Sequence, residues 1–208
     1  MKISIIGASA GIGLEVTRLA LQKEHEVSTL SRRVVPLPDH QKLRRVQGSA
    51  TNPNDVRAAV EGADAVLVTL GVKSPFATTL FSDSARILLQ TIREMGSSPT
   101  LIVLTGFGAG DSWGYNSIPM KVLFTLFLKR AYVDKSEQEQ LIASGYSRWA
   151  MVRPGRLTNG AMTGHYRVLD NLEEGMRVGA ISRADVAHFM VAQAENPTYR
   201  GKYPALTY

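Results

Sequence analysis

The chain has no cysteine among its 208 residues, which removes disulfides, thiolate metal sites and thiol nucleophiles together. Its chemistry must come from oxygens, nitrogens or a bound cofactor. Aromatic residues make up only 7%. Tracts of like charge are missing as well: the basic residues stand singly or in pairs such as Arg32-Arg33, Arg44-Arg45 and Lys129-Arg130, so the net charge of +6 suits small anionic ligands better than nucleic acid. Long apolar runs are absent too. The run at residues 1–6 meets Gly7 too early to be the core of a secretory signal. The most apolar later window, residues 118–128, contains Pro119 and Lys121 and is shorter than the roughly 20 residues of a membrane span. A soluble, cytoplasmic protein with no membrane or nucleic-acid partner is expected, as a monomer or weak homo-oligomer. The histidines His25, His40, His165 and His188 lack metal-ligand spacing, and no metal is expected.

What the chain does contain is an alternation of buried-strand and amphipathic-helix patterns. Residues 3–6 read as a strand, 12–23 as a helix with Ile12, Val16, Leu19 and Ala20 along one stripe, and 26–30 as a second strand, together a βαβ unit. Further strands are expected at 43–47, 65–70 and 101–104; the run at 65–70 is almost wholly apolar, as a parallel strand covered on both faces should be. Asn52-Pro53 opens a helix to about residue 61. The next helix carries Phe81, Ala85, Leu88, Ile92 and Met95 on one face and ends at Gly96. A glycine-rich loop at 106–114, holding Phe107 and Trp113, is longer than a connection requires and so borders a site. Then come a helix at 118–144, broken near Ala131, and a sixth strand at 149–153 stopped by Pro154-Gly155. Short strands at 166–169 and 178–181, a helix opened by the capping pattern Ser182-x-x-Asp185 and a Pro/Tyr-rich tail complete the chain. Residues 122–128, apolar nearly all round, form either a buried helix or a lid or subunit contact. The order predicts one α/β domain over residues 1–208: a Rossmann-type doubly wound parallel sheet with helices on both faces and a small C-terminal cap on the substrate side.

Gly7-Ala8-Ser9-Ala10-Gly11-Ile12-Gly13 lies between the first strand and first helix, where glycines let the backbone turn tightly and approach a pyrophosphate at a helix N-terminus. At the second strand's tip stands Ser31-Arg32-Arg33 in place of the acidic residue that would grip the ribose of NAD. Two guanidiniums there can fork onto a 2′-phosphate, so NADP (NADPH) is the expected cofactor. The same loop also spells Gly7-x-Ser9-x-Gly11, the nucleophile elbow of α/β-hydrolases, with His165 and His188 as available bases. Only six residues of the sequence precede it, so an earlier loop that would supply an oxyanion hole is not expected and the hydrolase is the remote alternative.

These residues resemble the short-chain dehydrogenase/reductase superfamily, in its atypical branch of NmrA-like NAD(P)H-binding proteins and the biliverdin reductase B, or flavin reductase, group. The likeness is most specific in Met162-Thr163-Gly164-His165-Tyr166-Arg167-Val168, in the stretch from Ile181-Ser182-Arg183-Ala184-Asp185 to Phe189-Met190, and in Tyr199-Arg200-Gly201-Lys202-Tyr203-Pro204. By that resemblance Gly7, Ser9, Ala10, Gly11, Ile12 and Gly13 would hold the pyrophosphate, Arg32 and Arg33 the 2′-phosphate, Ser49-Ala50 the adenine edge and Leu70-Gly71 the nearby ribose. Thr105 and the Arg153-Pro154-Gly155 turn would flank the nicotinamide. Thr105 and Lys135 would serve the reaction, Lys135 through the nicotinamide ribose, while Phe107, Trp113 and Arg156 would meet the acceptor. The resemblance implies an NADPH-dependent reductase acting on flavins or similar planar acceptors, or a non-catalytic NADP(H) sensor. The superfamily's Tyr-x-x-x-Lys is not intact: Ala131 stands four residues before Lys135, with Tyr132 one out of register. The serine and histidine that the flavin reductase group places near its substrate align with Gly106 and Gly155.

Overall fold

The computed structural model describes residues 1–72, 78–109, 112, 129–171 and 178–208. In chain order the elements are β1 (Lys2–Ile6), α1 (Gly11–Gln22), β2 (Glu26–Ser31), β3 (Leu43–Gln47), α2 (Pro53–Val60), β4 (Ala65–Val68), α3 (Leu80–Glu94) and β5 (Thr100–Leu104). After these come α4 (Lys129–Gly145), β6 (Trp149–Pro154), β7 (Arg156–Thr158), β8 (Arg167–Leu169), β9 (Ala180–Ser182), α5 (Arg183–Glu195) and β10 (Ala205–Thr207). Eight strands form one sheet in the order β3-β2-β1-β4-β5-β6-β10-β8, parallel except where β10 meets β8. β7 and β9 pair beside it.

Both faces of the sheet are covered, which is why its strands are apolar without alternation. Ile3 and Ile5 of β1 pack with Val16 and Ala20 of α1 and Phe189 and Met190 of α5. Ile6, pointing the other way as the period of two requires, joins Val56 of α2, Leu88 of α3 and Ile142 of α4. The chain leaves β1 toward β2 and returns to its other side as β4. That reversal opens a crevice beyond the carboxyl ends of β1 and β4, the usual binding place in such sheets.

The Asn52 side chain caps α2 by accepting from the backbone N–H groups of Asn54 and Asp55, and Ser182 caps α5 by accepting from Asp185. α3 has no cap of its own at Thr79. Asp134 of α4 supplies one instead, accepting from the backbone N–H of Phe81 at 2.9 Å and of Ser82 at 3.0 Å. Three expectations are corrected. β4 stops at Val68 rather than residue 70, because Thr69-Leu70 turns against the glycine loop. β9 is shifted C-terminally to Ala180–Ser182, and the Pro/Tyr-rich tail contains a strand, β10, which slots between β6 and β8. Residues 118–128 of the expected long helix lie outside the described residues. Among the described residues no helix is long and apolar enough to cross a membrane.

Candidate functional site

The glycines at the β1–α1 turn divide into two kinds. A Cβ on Gly7 would stand 2.9 Å from the Thr69 backbone, and one on Gly13 would stand 2.3 Å from the Gly7 carbonyl oxygen and 2.5 Å from Thr69 Oγ1. These two let the loop close on the end of β4. Gly11, at φ +57°, has no protein atom within 4 Å of the Cβ it lacks. The backbone is thus bare at the start of α1. The residue before α1 is Ala10, which makes no side-chain cap, so the first-turn N–H groups keep their donor capacity and the positive end of the helix dipole is uncovered. Ser9 is half-buried and Ala10 exposed, while Ile12 packs into the core. A pyrophosphate fits this cradle. The hydrolase reading fails here: no hydrogen bond joins Ser9 to a histidine among the described residues, His188 Nδ1 being held by the Tyr166 hydroxyl at 2.8 Å.

Beyond β2, Arg32 and Arg33 are exposed, and neither guanidinium pairs with a carboxylate among the described residues. Their backbone is fixed by Ser31 Oγ, which donates to the Arg33 carbonyl at 2.6 Å. Next to them Ser49 is held through its N–H, 2.8 Å from Asp55 Oδ2, Ala50 is buried, and across the crevice Leu70 is half-buried and Gly71 exposed. The residues assigned to a dinucleotide's adenine half therefore line one end of the crevice.

At the other end the expected roles need correction. Thr105 is buried, 3% exposed, and its hydroxyl donates to the Val152 carbonyl at 3.4 Å. What it presents is its carbonyl, which accepts from Lys135 Nζ. Lys135 lies with Nζ 5.0 Å from the Phe81 ring centre and 5.9 Å from that of Tyr132; burial pulls its pKa down to about 8 against the opposing charge of Glu139. Burial, aided by Glu139, pushes the Tyr132 hydroxyl up to about 12. That hydroxyl would lie 2.8 Å from a Cβ on Gly106, so Tyr132 brings a hydroxyl to the place where a side chain at 106 would begin. The α4 helix thereby sets Tyr132 and Lys135 together at the end of β5, although their spacing breaks the superfamily pattern.

Arg153 is the clearest correction. Its side chain is 2% exposed and ion-paired with Glu139 of α4, which is 4% exposed; Nε and Nη2 donate at 3.1 and 2.7 Å, and the guanidinium lies 4.2 Å from the Tyr203 ring centre. The side chain is committed to the scaffold because a buried guanidinium requires a carboxylate. Only backbone at the buried Pro154 and half-buried Gly155 borders the crevice. Gly155 itself is dictated by packing, since a Cβ there would meet the Gly179 carbonyl at 2.3 Å and Val178 at 2.9 Å. Phe107, 7% exposed, is a wall residue rather than an open stacking platform, its N–H bonded to the Pro154 carbonyl. Arg156 is exposed as expected, and Trp113 lies outside the described residues.

Sequence reasoning missed the polar hub of the C-terminal cap. Asp185 is fully buried and accepts from Thr163 N–H, Thr163 Oγ1, Gly164 N–H, Ser182 Oγ and the Tyr208 hydroxyl at 2.7–3.1 Å. Burial raises its pKa, but the hydrogen bonds from Tyr208, Gly164 and Thr163 outweigh that and hold it below the ordinary carboxylate value. Thr163-Gly164, Ser182-x-x-Asp185 and the chain's last residue thus meet on one carboxylate. The capping-box spacing was a visible signal for part of this; the Thr163 and Tyr208 partners had none. Among the described residues no group of three or more metal-ligating side chains comes together.

A family model described as NAD(P)H-binding matches residues 7–197. The chain belongs to this NAD(P)H-binding family. Over 94% of this NAD(P)H-binding protein and 88% of its relative, it is 25% identical to YhfK of Bacillus subtilis, an uncharacterized sugar epimerase. It superposes on ChuY, an anaerobillin reductase of Escherichia coli O157:H7, with a TM-score of 0.81 and 25% identity over 100% of this chain and 97% of that one. A wide-type short-chain dehydrogenase/reductase of Veillonella parvula, solved with NADP, shares the fold at a TM-score of 0.83 and 15% identity, covering 100% and 94% of the two chains.

Proposed function

We propose that this NAD(P)H-binding protein is an NADPH-dependent reductase that passes hydride to flavins or similar planar acceptors. The observation that carries the cofactor preference is the pair of guanidiniums at the tip of β2, without carboxylate partners among the described residues and beside an uncapped, glycine-bared helix N-terminus. When bound, the nicotinamide supplies a hydride. The chain's part is to bind and orient: the amides of residues 11–13 take the pyrophosphate, Arg32 and Arg33 the 2′-phosphate, and Lys135 the nicotinamide ribose. Tyr132, held near 12 by its burial, keeps its proton at neutral pH and is a poor general acid, whose pKa should lie near the working pH. Glycine at 106 and 155 leaves the end of the crevice without another side-chain acid at those positions. An acceptor that takes its proton from solvent suits this arrangement, and the likeness to an anaerobillin reductase supports a reductase over a sensor.

The decisive experiment follows NADPH oxidation with FMN, riboflavin and quinones. Turnover on at least one is expected; tight NADPH binding with no turnover on any would favour the sensor. A pH series adds a separate check. If Lys135 serves the cofactor as an ammonium, kcat/KM should fall above a midpoint of about 8 and Lys135→Ala should abolish that limb. Stability should move the opposite way. Between about 8 and the ordinary lysine value of 10.5 the unfolded chain binds a proton that folded Lys135 has released, so this group's contribution rises with pH through that window. An alkaline limb that survives Lys135→Ala would place the ionisation elsewhere.

A further inference from the structure

A groove of about 750 Å³ runs along the outer side of α1, from Gly11 to Gln22, against residues 159–162 and the first turns of α5. It belongs to neither half of the dinucleotide crevice as described, yet it shares Gly11 with the glycine loop and is walled by the segment that follows β6 and β7. Its size falls within the roughly 300–1,000 Å³ of small-molecule sites. The floor is apolar, with Leu19, Ala184 and Ala187, and Met162 adds a side chain 51% exposed. Its lining holds two guanidiniums, Arg18 and Arg183, against one carboxylate, Glu15.

The wall is built rather than loose. Arg183 donates through Nη1 to Asn159 Oδ1 at 2.6 Å and to the Thr158 carbonyl at 3.2 Å, which spans the groove's rim. One residue past Met162, the chain is fastened by the two backbone N–H groups that donate to buried Asp185. Arg18 is paired to Glu15 at 3.1 Å, with both side chains substantially exposed, a contact that costs little to exchange for a better anion. A positively biased, apolar-floored groove with pre-set walls is suited to an amphiphilic anion, because little ordering is required when it binds.

We propose that this groove seats an acidic arm of the acceptor, a phosphate or carboxylate joined by a short chain to the hydride-accepting ring and paired with Arg183 and Arg18. The idea rests on the reductase reading and names the class of substrate within it: planar acceptors that carry an acid. The cofactor's own anionic groups are accounted for at the glycine loop, which meets the groove only at Gly11, and at Arg32 and Arg33, which do not line it.

The test is a pair of fluorescence-quenching titrations of NADP-loaded protein with FMN and with riboflavin, which differ only in the phosphate. FMN should bind about tenfold or more tightly at low salt, as a charge-assisted pair implies, and Arg18→Ala/Arg183→Ala should bring the ratio to within about twofold. A bilin dicarboxylate compared with its dimethyl ester separates a carboxylate arm from a phosphate arm by the same reasoning. Equal affinity for FMN and riboflavin in the unaltered protein, together with equal affinity for the bilin and its ester, overturns the proposal. So does a ratio that the double variant leaves intact, or an equal loss of NADPH affinity, which would give the groove to the cofactor. Should the double variant not fold, Arg18→Gln alone and the collapse of the ratio in high salt replace it. Since binding is read without turnover, a preference for the acid that the double variant removes, with no NADPH oxidation, would sink the reductase reading alone, and turnover with no such preference in either pair would sink the groove alone.

Discussion

Replacing Glu139 with alanine is expected to cost about 3–5 kcal/mol of stability, because it leaves the guanidinium of Arg153 buried without a counter-charge. The two side chains are 4% and 2% exposed, so water cannot take the carboxylate's place without opening the interface between α4 and β6. Lost with it are both donor contacts, at 3.1 and 2.7 Å. The pair itself contributes less than that figure suggests. A Glu139→Leu/Arg153→Met chain, with neither charge, should recover most of the loss, since ion pairs can often be exchanged for apolar packing of similar volume. Urea unfolding of the three variants measures this. A single-variant cost under about 1 kcal/mol would mean that the guanidinium finds another partner.

That pair also marks where the sequence stops being legible. The β1–α1–β2 unit, the strands at Leu43–Gln47 and Thr100–Leu104, and the helices capped by Asn52 and Ser182 could be read almost to the residue, because apolar runs, stripes and caps are local signals. The place of the glycine loop between β1 and α1, and of Arg32-Arg33 just past β2, was readable for the same reason. Glu139 and Arg153 sit 14 residues apart, on different elements, and nothing near either one announces the other. Arg153 therefore looked like part of a nicotinamide-side turn when its side chain belongs to the core. Thr105 misled in the same way, its hydroxyl being turned to the Val152 carbonyl. In β10 only Ala205–Thr207 are strand, too few to show a period. They become a strand by pairing with β6 and β8, which no window of sequence contains.

The second large effect concerns the cofactor. Arg32→Ala and Arg33→Ala should each weaken NADPH binding by about 1.5–3 kcal/mol, the worth of a hydrogen bond to a charged group, while NADH affinity stays nearly level. Together they should reduce the preference by a factor of about one hundred or more, with some shortfall from additivity because neighbouring cations share one phosphate. Competition titrations of NADPH and NADH on the single and double variants give the numbers. The preference should also shrink as salt is added, since both side chains are exposed and their field is screened. Equal losses for the two nucleotides would show that the arginines act on the loop and not on the 2′-phosphate.

The slot between β6 and β8 has a consequence for the order in which the protein assembles. β8 is made first, yet its neighbour in the main sheet, among the described residues, is β10, thirty-odd residues later in synthesis. Until Ala205–Thr207 emerge, β8 lacks its native partner strand, Gly155 lacks the Leu206 carbonyl that its N–H donates to, and Asp185 lacks the Tyr208 hydroxyl. The five strands β3-β2-β1-β4-β5, by contrast, need nothing beyond residue 104 for their own ladders. Refolding should therefore show the glycine-loop half gaining protection from hydrogen exchange before the cap, with the slow step set by closing the long loop that brings β10 home. A nascent chain halted before residue 205 would carry an open sheet edge at β6, the kind of surface on which strands of other chains add.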